Sequence, residues 1–285
     1  MKWIRILFEL TKFRISLFAT LSTSVGFILA RQGISREMLV PITGIFLLAC
    51  GSCALNQYQE RKNDQWMERT QKRPLPSKRL HPITALKISL WCLLGGASIL
   101  MARTNWVALG LGVFAVFWYN GFYTLLKRKT AFAAIPGALI GTIPPLLGWV
   151  SGGGHLLDPQ ILAIAFFFFI WQIPHFWLLL LDFGKDYEKA GFPSLTRIFT
   201  AAQLRRITFT WVFATAVACL MIPLFGLVIS YGVRVGFLVT GFWLVWKAFM
   251  FLRSHHSEFP PRLTFNSINA YVLLVMFLLT LDHLL

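Results

Sequence analysis

The sequence predicts an all-α membrane protein of nine transmembrane helices, and three observations lead there. Of its 285 residues 56% are hydrophobic and only 13% charged, with a mean hydropathy of +0.65; this balance belongs to polytopic membrane chains rather than soluble domains. Nine stretches are long and apolar enough for a helical crossing, which takes about 20 residues. The 27 Lys and Arg, set against 11 Asp and Glu, fall almost entirely into alternate loops. The net charge of +16 is therefore dispersed in short runs between spans, a pattern of membrane orientation and not of a nucleic-acid-binding face.

In chain order the spans fall at about 13–30, 38–56, 83–101, 105–123, 131–150, 160–181, 207–229, 232–251 and 264–284. The leading MKWIRILFELTKFRIS has no short apolar core with a small-residue cleavage site, so it reads as mature chain. Nine spans put the termini on opposite sides. All Lys and Arg except Arg31, Arg36, Arg103 and Arg234 lie on the N-terminal side, so the positive-inside rule makes that side cytoplasmic. Trp3, Trp91, Trp106, Trp149 and Trp177 stand near span ends, where interfacial anchors belong. Pro144 and Pro145 should kink span five and free backbone carbonyls there. Phe166 to Phe169 reads as a lipid-facing or core run, Ser151 to Gly154 as a flexible turn, and His255 and His256 as solvated loop residues. Cys50, Cys53, Cys92 and Cys219 all sit in apolar segments and read as small core residues; the CxxC of the first two has no partner ligands nearby in sequence.

Charge concentrates at two places on the cytoplasmic side. After span two, NQYQERKNDQWMERTQKRPLPS places Asn56, Glu60, Asp64 and Glu68 four residues apart, which on a helix keeps them on one face with a drift of about 40° per step. Arg61, Arg69, Lys72 and Arg73 are interspersed, and Pro74 and Pro76 should end the helix. After span six, Asp182 and Asp186 are again four apart, flanked by Lys185, Tyr187 and Lys189. Carboxylates at a membrane boundary cost a few kcal/mol unless paired or metal-bound. Two facing rows would hold a divalent cation with oxygen ligands, most naturally Mg²⁺, and through it a phosphate-bearing substrate. The plainer reading makes them solvated loop charges paired with basic neighbours. Two acidic helix ends in one chain suggest a single domain, 1–285, built of two pseudo-repeat halves, 1–130 and 131–285.

These segments resemble the paired acidic motifs of the UbiA-type intramembrane prenyltransferases, and within them the branch that farnesylates haem. The likeness runs through LTKFRIS (10–16), the 56–77 stretch with its MxRTxxRPLPS, YTLLKRKT (123–130), PPLLGW (144–149), WQIPHF (171–176), KDYEKAGFP (185–193) and FNSINAYVLLVMFLLTLD (265–282). It implies nine helices around a central cavity. It also implies transfer of the farnesyl group of farnesyl diphosphate to a vinyl group of haem B, with water added, to give haem O. By that resemblance Asn56, Glu60, Asp64 and Asp186, with Asp182, hold Mg²⁺; Arg61, Lys127, Arg128, Lys185 and Tyr187 take the diphosphate. Gln57 stands where many members carry Asp. For haem, the candidates are His175, Trp171, Arg14, Arg69 and Arg73. His175 keeps three readings: a hydrogen-bonded buried residue, a ligand of haem iron, or a proton carrier.

The resemblance further implies the inner membrane of a bacterium, a site facing the cytoplasm, and hand-over to a haem A synthase or terminal oxidase assembly. One competing activity is prenylation of a quinone precursor or other aromatic acceptor by the same fold. Another is a transporter or haem-handling protein, which would carry its acids near the bilayer midplane instead of at span ends.

Overall fold

A computed structural model describes residues 2–253 and 261–284, and every regular element among them is helical. Among the described residues nine helices are long and apolar enough to cross a membrane: Phe13–Arg31, Arg36–Glu60, Pro82–Arg103, Trp106–Leu126, Ala131–Ser151, Pro159–Lys189, Ala201–Phe225, Tyr231–Arg253 and Pro261–Asp282. All nine expected spans are thus present. His255 and His256 lie outside the described residues.

We label the helices α1 (Lys2–Leu10), α2 (Phe13–Arg31), α3 (Leu39–Glu60), α4 (Pro82–Arg103), α5 (Trp106–Val116), α6 (Ile143–Ser151), α7 (Pro159–Lys189), α8 (Ala201–Met221), α9 (Tyr231–Arg253) and α10 (Pro261–Asp282). At nine residues α1 is too short to cross. Helix α2 packs against α3, α6 and α10, and α7 against α6, α8 and α10. Lipid supplies no hydrophobic drive between helices, so close approach of backbones must hold them. Small residues provide it: a Cβ at Gly148 would sit 2.0 Å from the Thr23 carbonyl oxygen, and one at Gly26 2.1 Å from that of Pro145. Phe167, Phe168, Phe237, Phe251 and Tyr271 fill the core of the C-terminal half, while Phe166 is half exposed on the same helix.

Several elements depart from the sequence expectation for physical reasons. Trp3, Trp91 and Trp106 are exposed as anchors should be, but Trp149 and Trp177 are buried: the indole of the first donates to Asp158 and to the His155 carbonyl, and the second packs edge-on to Trp211. Span five is broken as its prolines require, with 3-10 turns at Ala131–Ala133 and Ala138–Thr142 before Pro144 opens α6. Helix α7 continues two turns beyond the expected end and carries Asp182 and Asp186 on it. It stops where Gly191 takes a left-handed φ of 78° and the Phe192 N–H returns to the Tyr187 carbonyl. Helix α8 starts at Ala201, six residues early, because Thr200 and Gln203 form a capping box. Asp282 accepts the N–H groups of Ile229 and Ser230, tying the end of α10 to the loop before α9.

Candidate active site

Helix α3 ends at Glu60, so Asp64 and Glu68 do not continue one helical face. Pro74 and Pro76 are not what stops it. Residues 61–80 instead fold back as a series of turns, because Asp64 and Thr70 are both fully buried and bonded to each other: the Thr70 hydroxyl donates to the Asp64 carbonyl at 2.9 Å. Leu75 and Leu80 anchor the far end of this segment on Leu10 and Ala54.

This folding brings the first motif together in a different way. Asp64 opens a 3-10 turn, and both its carboxylate oxygens accept from Arg73 Nη1, at 3.0 and 2.8 Å. Glu60, 4% exposed, is ion-paired with Lys127, whose ammonium also lies 5.6 Å above the Tyr123 ring and 5.7 Å above that of Phe192. Asn56 accepts from Lys12 Nζ at 3.0 Å and the Tyr119 hydroxyl at 3.3 Å, and donates to Thr124. Glu60 and Asp64 are therefore paired with basic neighbours, as the plainer sequence reading had it, but they are buried and not solvated. Gln57 donates to the carbonyls of Glu9 and Leu10 at the end of α1. A carboxylate could not make those bonds, which accounts for the amide at this position.

The second motif meets the first. The Arg69 N–H donates to Asp186 Oδ2 at 3.3 Å, Asn63 donates to the Ala190 carbonyl, and Lys189 pairs with Glu68 at the surface. Arg69 also reaches the Tyr187 hydroxyl and lies 5.3 Å from the Phe183 ring centre. Asp182, Lys185 and Asp186 line one small cleft with Glu68 and Arg69. Arg128 caps the rim by donating to the Gln59 carbonyl. Arg61 turns elsewhere, its guanidinium 4.2 Å from the centre of the Tyr58 ring, and Arg14 is exposed on the first turn of α2.

Three contributors are invisible to spacing rules. Lys12 sits between α1 and α2 with a left-handed φ of 47°, a backbone state that costs a non-glycine residue energy and that the surrounding contacts must hold. Burial, and then repulsion from Arg73, push its ammonium down to about 8. A π-helical turn, Phe117–Tyr123, follows α5 and carries Tyr119 and Asn120 to α3, where Asn120 bonds the Ser52 carbonyl. The third is Asn269, on α10. Its amide nitrogen donates to the Phe265 carbonyl, so its oxygen faces His175 Nδ1 at 2.8 Å as an acceptor. That bond assigns the hydrogen to Nδ1 and leaves the Nε2 lone pair free in the neutral ring.

An aromatic line connects the two regions. Tyr119, bonded to Asn56, stacks with Tyr123 at 5.8 Å; Tyr123 stacks with Phe176 at 6.0 Å; His175 follows at 5.6 Å and Trp171 at 5.0 Å. The Trp171 indole donates to the Ile268 carbonyl and its ring stacks on Phe18.

The donor atoms of Asn56, Glu60, Asp64, Asp182 and Asp186 are all oxygens, the set a hard cation such as Mg²⁺ takes. Among the described residues no three acids, His or Cys converge on a common point, and Lys127 and Arg73 hold Glu60 and Asp64. The chemistry of the donor set fits such a cation once those cations are drawn off.

The description "UbiA prenyltransferase family" matches residues 19–279. The chain is 32% identical to a protoheme IX farnesyltransferase of Oleidesulfovibrio alaskensis, over 97% of its own length and 95% of the relative's. It is 37% identical to one from Geobacter sulfurreducens over 75% and 79%. Among solved structures it resembles a digeranylgeranylglyceryl phosphate synthase, with a TM-score of 0.79 at 14% identity and 99% of both chains covered. A UbiA homolog from Archaeoglobus fulgidus bound to GPP and Mg²⁺ superposes with a TM-score of 0.69 at 14% identity over 96% and 98%. With its acidic helix ends joined beneath nine apolar helices, and with these relatives along nearly its whole length, the chain is a member of the UbiA prenyltransferase family.

Proposed function

We propose that this protein transfers the farnesyl group of farnesyl diphosphate to a vinyl group of haem B, with addition of water, to form haem O. The match to protoheme IX farnesyltransferases along 97% of the chain supports this choice of substrates most directly. The geometry supports the chemistry: buried acids and cations gather at one end of an aromatic line that leads to a histidine with a free ring nitrogen.

In this reading the diphosphate draws Lys127 and Arg73 to itself, with Lys12, Lys185, Arg128 and the Tyr187 hydroxyl around it. Glu60 and Asp64, once released from those cations, would hold Mg²⁺ with Asn56 and Asp186, and Asp182 lies one turn away. The metal supplies neutralisation of the charge that grows on the leaving diphosphate. The family relative solved with GPP and Mg²⁺ supports a divalent cation here. The chain's own cations share that task, and Arg61, turned toward Tyr58, would have to swing back to join it. As the allylic C–O bond breaks, the Tyr119, Tyr123 and Phe176 faces line the path of the cation and keep water from it. The vinyl carbon forms the new C–C bond, water adds at the adjacent carbon, and one proton leaves.

His175 is the candidate ligand for haem iron through Nε2, with Asn269 fixing the ring and Trp171 beside the porphyrin; Arg14 and Arg69 are the candidate partners of its propionates, with Arg73 given to the diphosphate in this arrangement. We read the chain as one domain whose halves, 1–130 and 131–285, each supply one acidic motif. Its place is the inner membrane of a bacterium with this site toward the cytoplasm, as the loop charges favour, and its product goes on to a haem A synthase or terminal oxidase assembly. Expression in a host without haem O should make haem O appear in membrane extracts, and His175→Ala should abolish the bound-haem absorbance while farnesyl diphosphate affinity persists. A prenylated aromatic acceptor with unaltered haem would move the reading to a quinone precursor.

A further inference from the structure

A second feature borders the acidic motifs and shares their basic residues. It is an open cleft of about 730 Å³ between α1 and the 61–80 segment, lined among others by Arg5, Glu9, Arg69, Lys72, Arg73 and Arg79. Five of these six are cations. The carboxylate, Glu9, is already held by two of them: Arg5 bonds one oxygen at 3.0 Å and Arg79 the other, with Arg79 first in keeping its carboxyl below the usual range. Arg79 also donates to the Lys72 carbonyl. Charge of one sign in a concave surface attracts anions, and the cations stand on both walls, Arg5 on α1 and the others on the turn segment. This arrangement matches a ligand with two separated carboxylates better than one compact anion.

The position of α1 says where that ligand comes from. Trp3, Ile4, Leu7 and Phe8 are exposed at 62, 59, 39 and 47%, while Leu10 is buried against the bundle and Glu9 and Arg5 border the cleft. A short helix with one apolar exposed side, at the head of the first span, belongs in the plane of the membrane interface. The cleft therefore opens at the depth where an amphiphile with an apolar ring in lipid presents its acids.

We propose that this cleft is the first docking site for haem, taking its two propionates at the membrane surface, and that Glu9 is a latch that occupies Arg5 and Arg79 until they arrive. This rests on haem being the acceptor. Arg73 reaches from the cleft to Asp64, and Arg69 bonds Asp186 through its backbone N–H and the Tyr187 hydroxyl through its guanidinium, so the docked substrate lies next to the diphosphate site.

The test is titration of the full-length protein in phosphatidylcholine nanodiscs with haem B and with its dipropionate dimethyl ester, read by haem absorbance. The wild type should bind the diacid about tenfold tighter than the ester, on the scale of lost charge-assisted hydrogen bonds. The double substitution Arg5→Gln, Lys72→Gln should erase that preference by weakening the diacid alone, and Glu9→Gln should tighten the diacid alone, a gain that misfolding cannot produce. Equal losses for diacid and ester, or an unchanged preference in both variants, would overturn the cleft assignment. So would phosphatidylglycerol displacing haem from the wild type but not from the double variant, which would make the cleft a lipid headgroup site. A wild type that binds neither compound would instead sink the choice of haem as acceptor, and this proposal with it.

Discussion

Asp64→Asn lowers the rate of farnesyl transfer by a factor of roughly 10² to 10³, the worth of one fixed electrostatic partner of a developing charge. The side chain keeps its shape, and its buried place at the start of a turn is retained, so insertion and folding persist. What is lost is the charge shared between Arg73 in the resting protein and, as proposed, the metal with substrate bound. The check is a steady-state comparison with wild type alongside a thermal melt in detergent. Near-normal turnover with a normal melt would remove Asp64 from the site.

Lys127→Met costs more, and through two routes that can be separated. Glu60 is almost fully buried and Lys127 is its ion-pair partner, so removing the lysine strands a carboxylate and destabilises the protein by roughly 3–5 kcal/mol. The same change removes a cation from beside the leaving group. The double variant Lys127→Met, Glu60→Gln should regain most of the stability, since a neutral amide carries no uncompensated charge, but should stay inactive. Recovery of both stability and transfer would make the pair a structural device only.

The spans and both acidic clusters could be read from sequence because hydropathy over about 20 residues and the scarcity of acids are strong local signals. The extent of each cluster could not. The four-residue spacing of Asn56, Glu60, Asp64 and Glu68 imitates a helix, yet burial of Asp64 and Thr70 bends the chain away after Glu60. Conversely, span six is expected to end near residue 181, but the helix runs on through Lys189, where Asp186 meets the 61–80 segment. Neither outcome is written in a window of neighbouring residues. The same holds for Lys12, which reaches Asn56 across 44 positions, and for Asn269, which sets the His175 tautomer across 94. The π-turn at Phe117–Tyr123 gives no periodic signal, since one added residue per turn is lost in an apolar run.

The central claim, that this family member farnesylates haem, is tested most directly by incubating the purified protein with haem B, farnesyl diphosphate and Mg²⁺ and weighing the haem by mass spectrometry. The predicted result is a haem heavier by one farnesyl group and one hydroxyl, formed only when all three are present. Haem recovered at its starting mass, from protein that still binds farnesyl diphosphate, would contradict it.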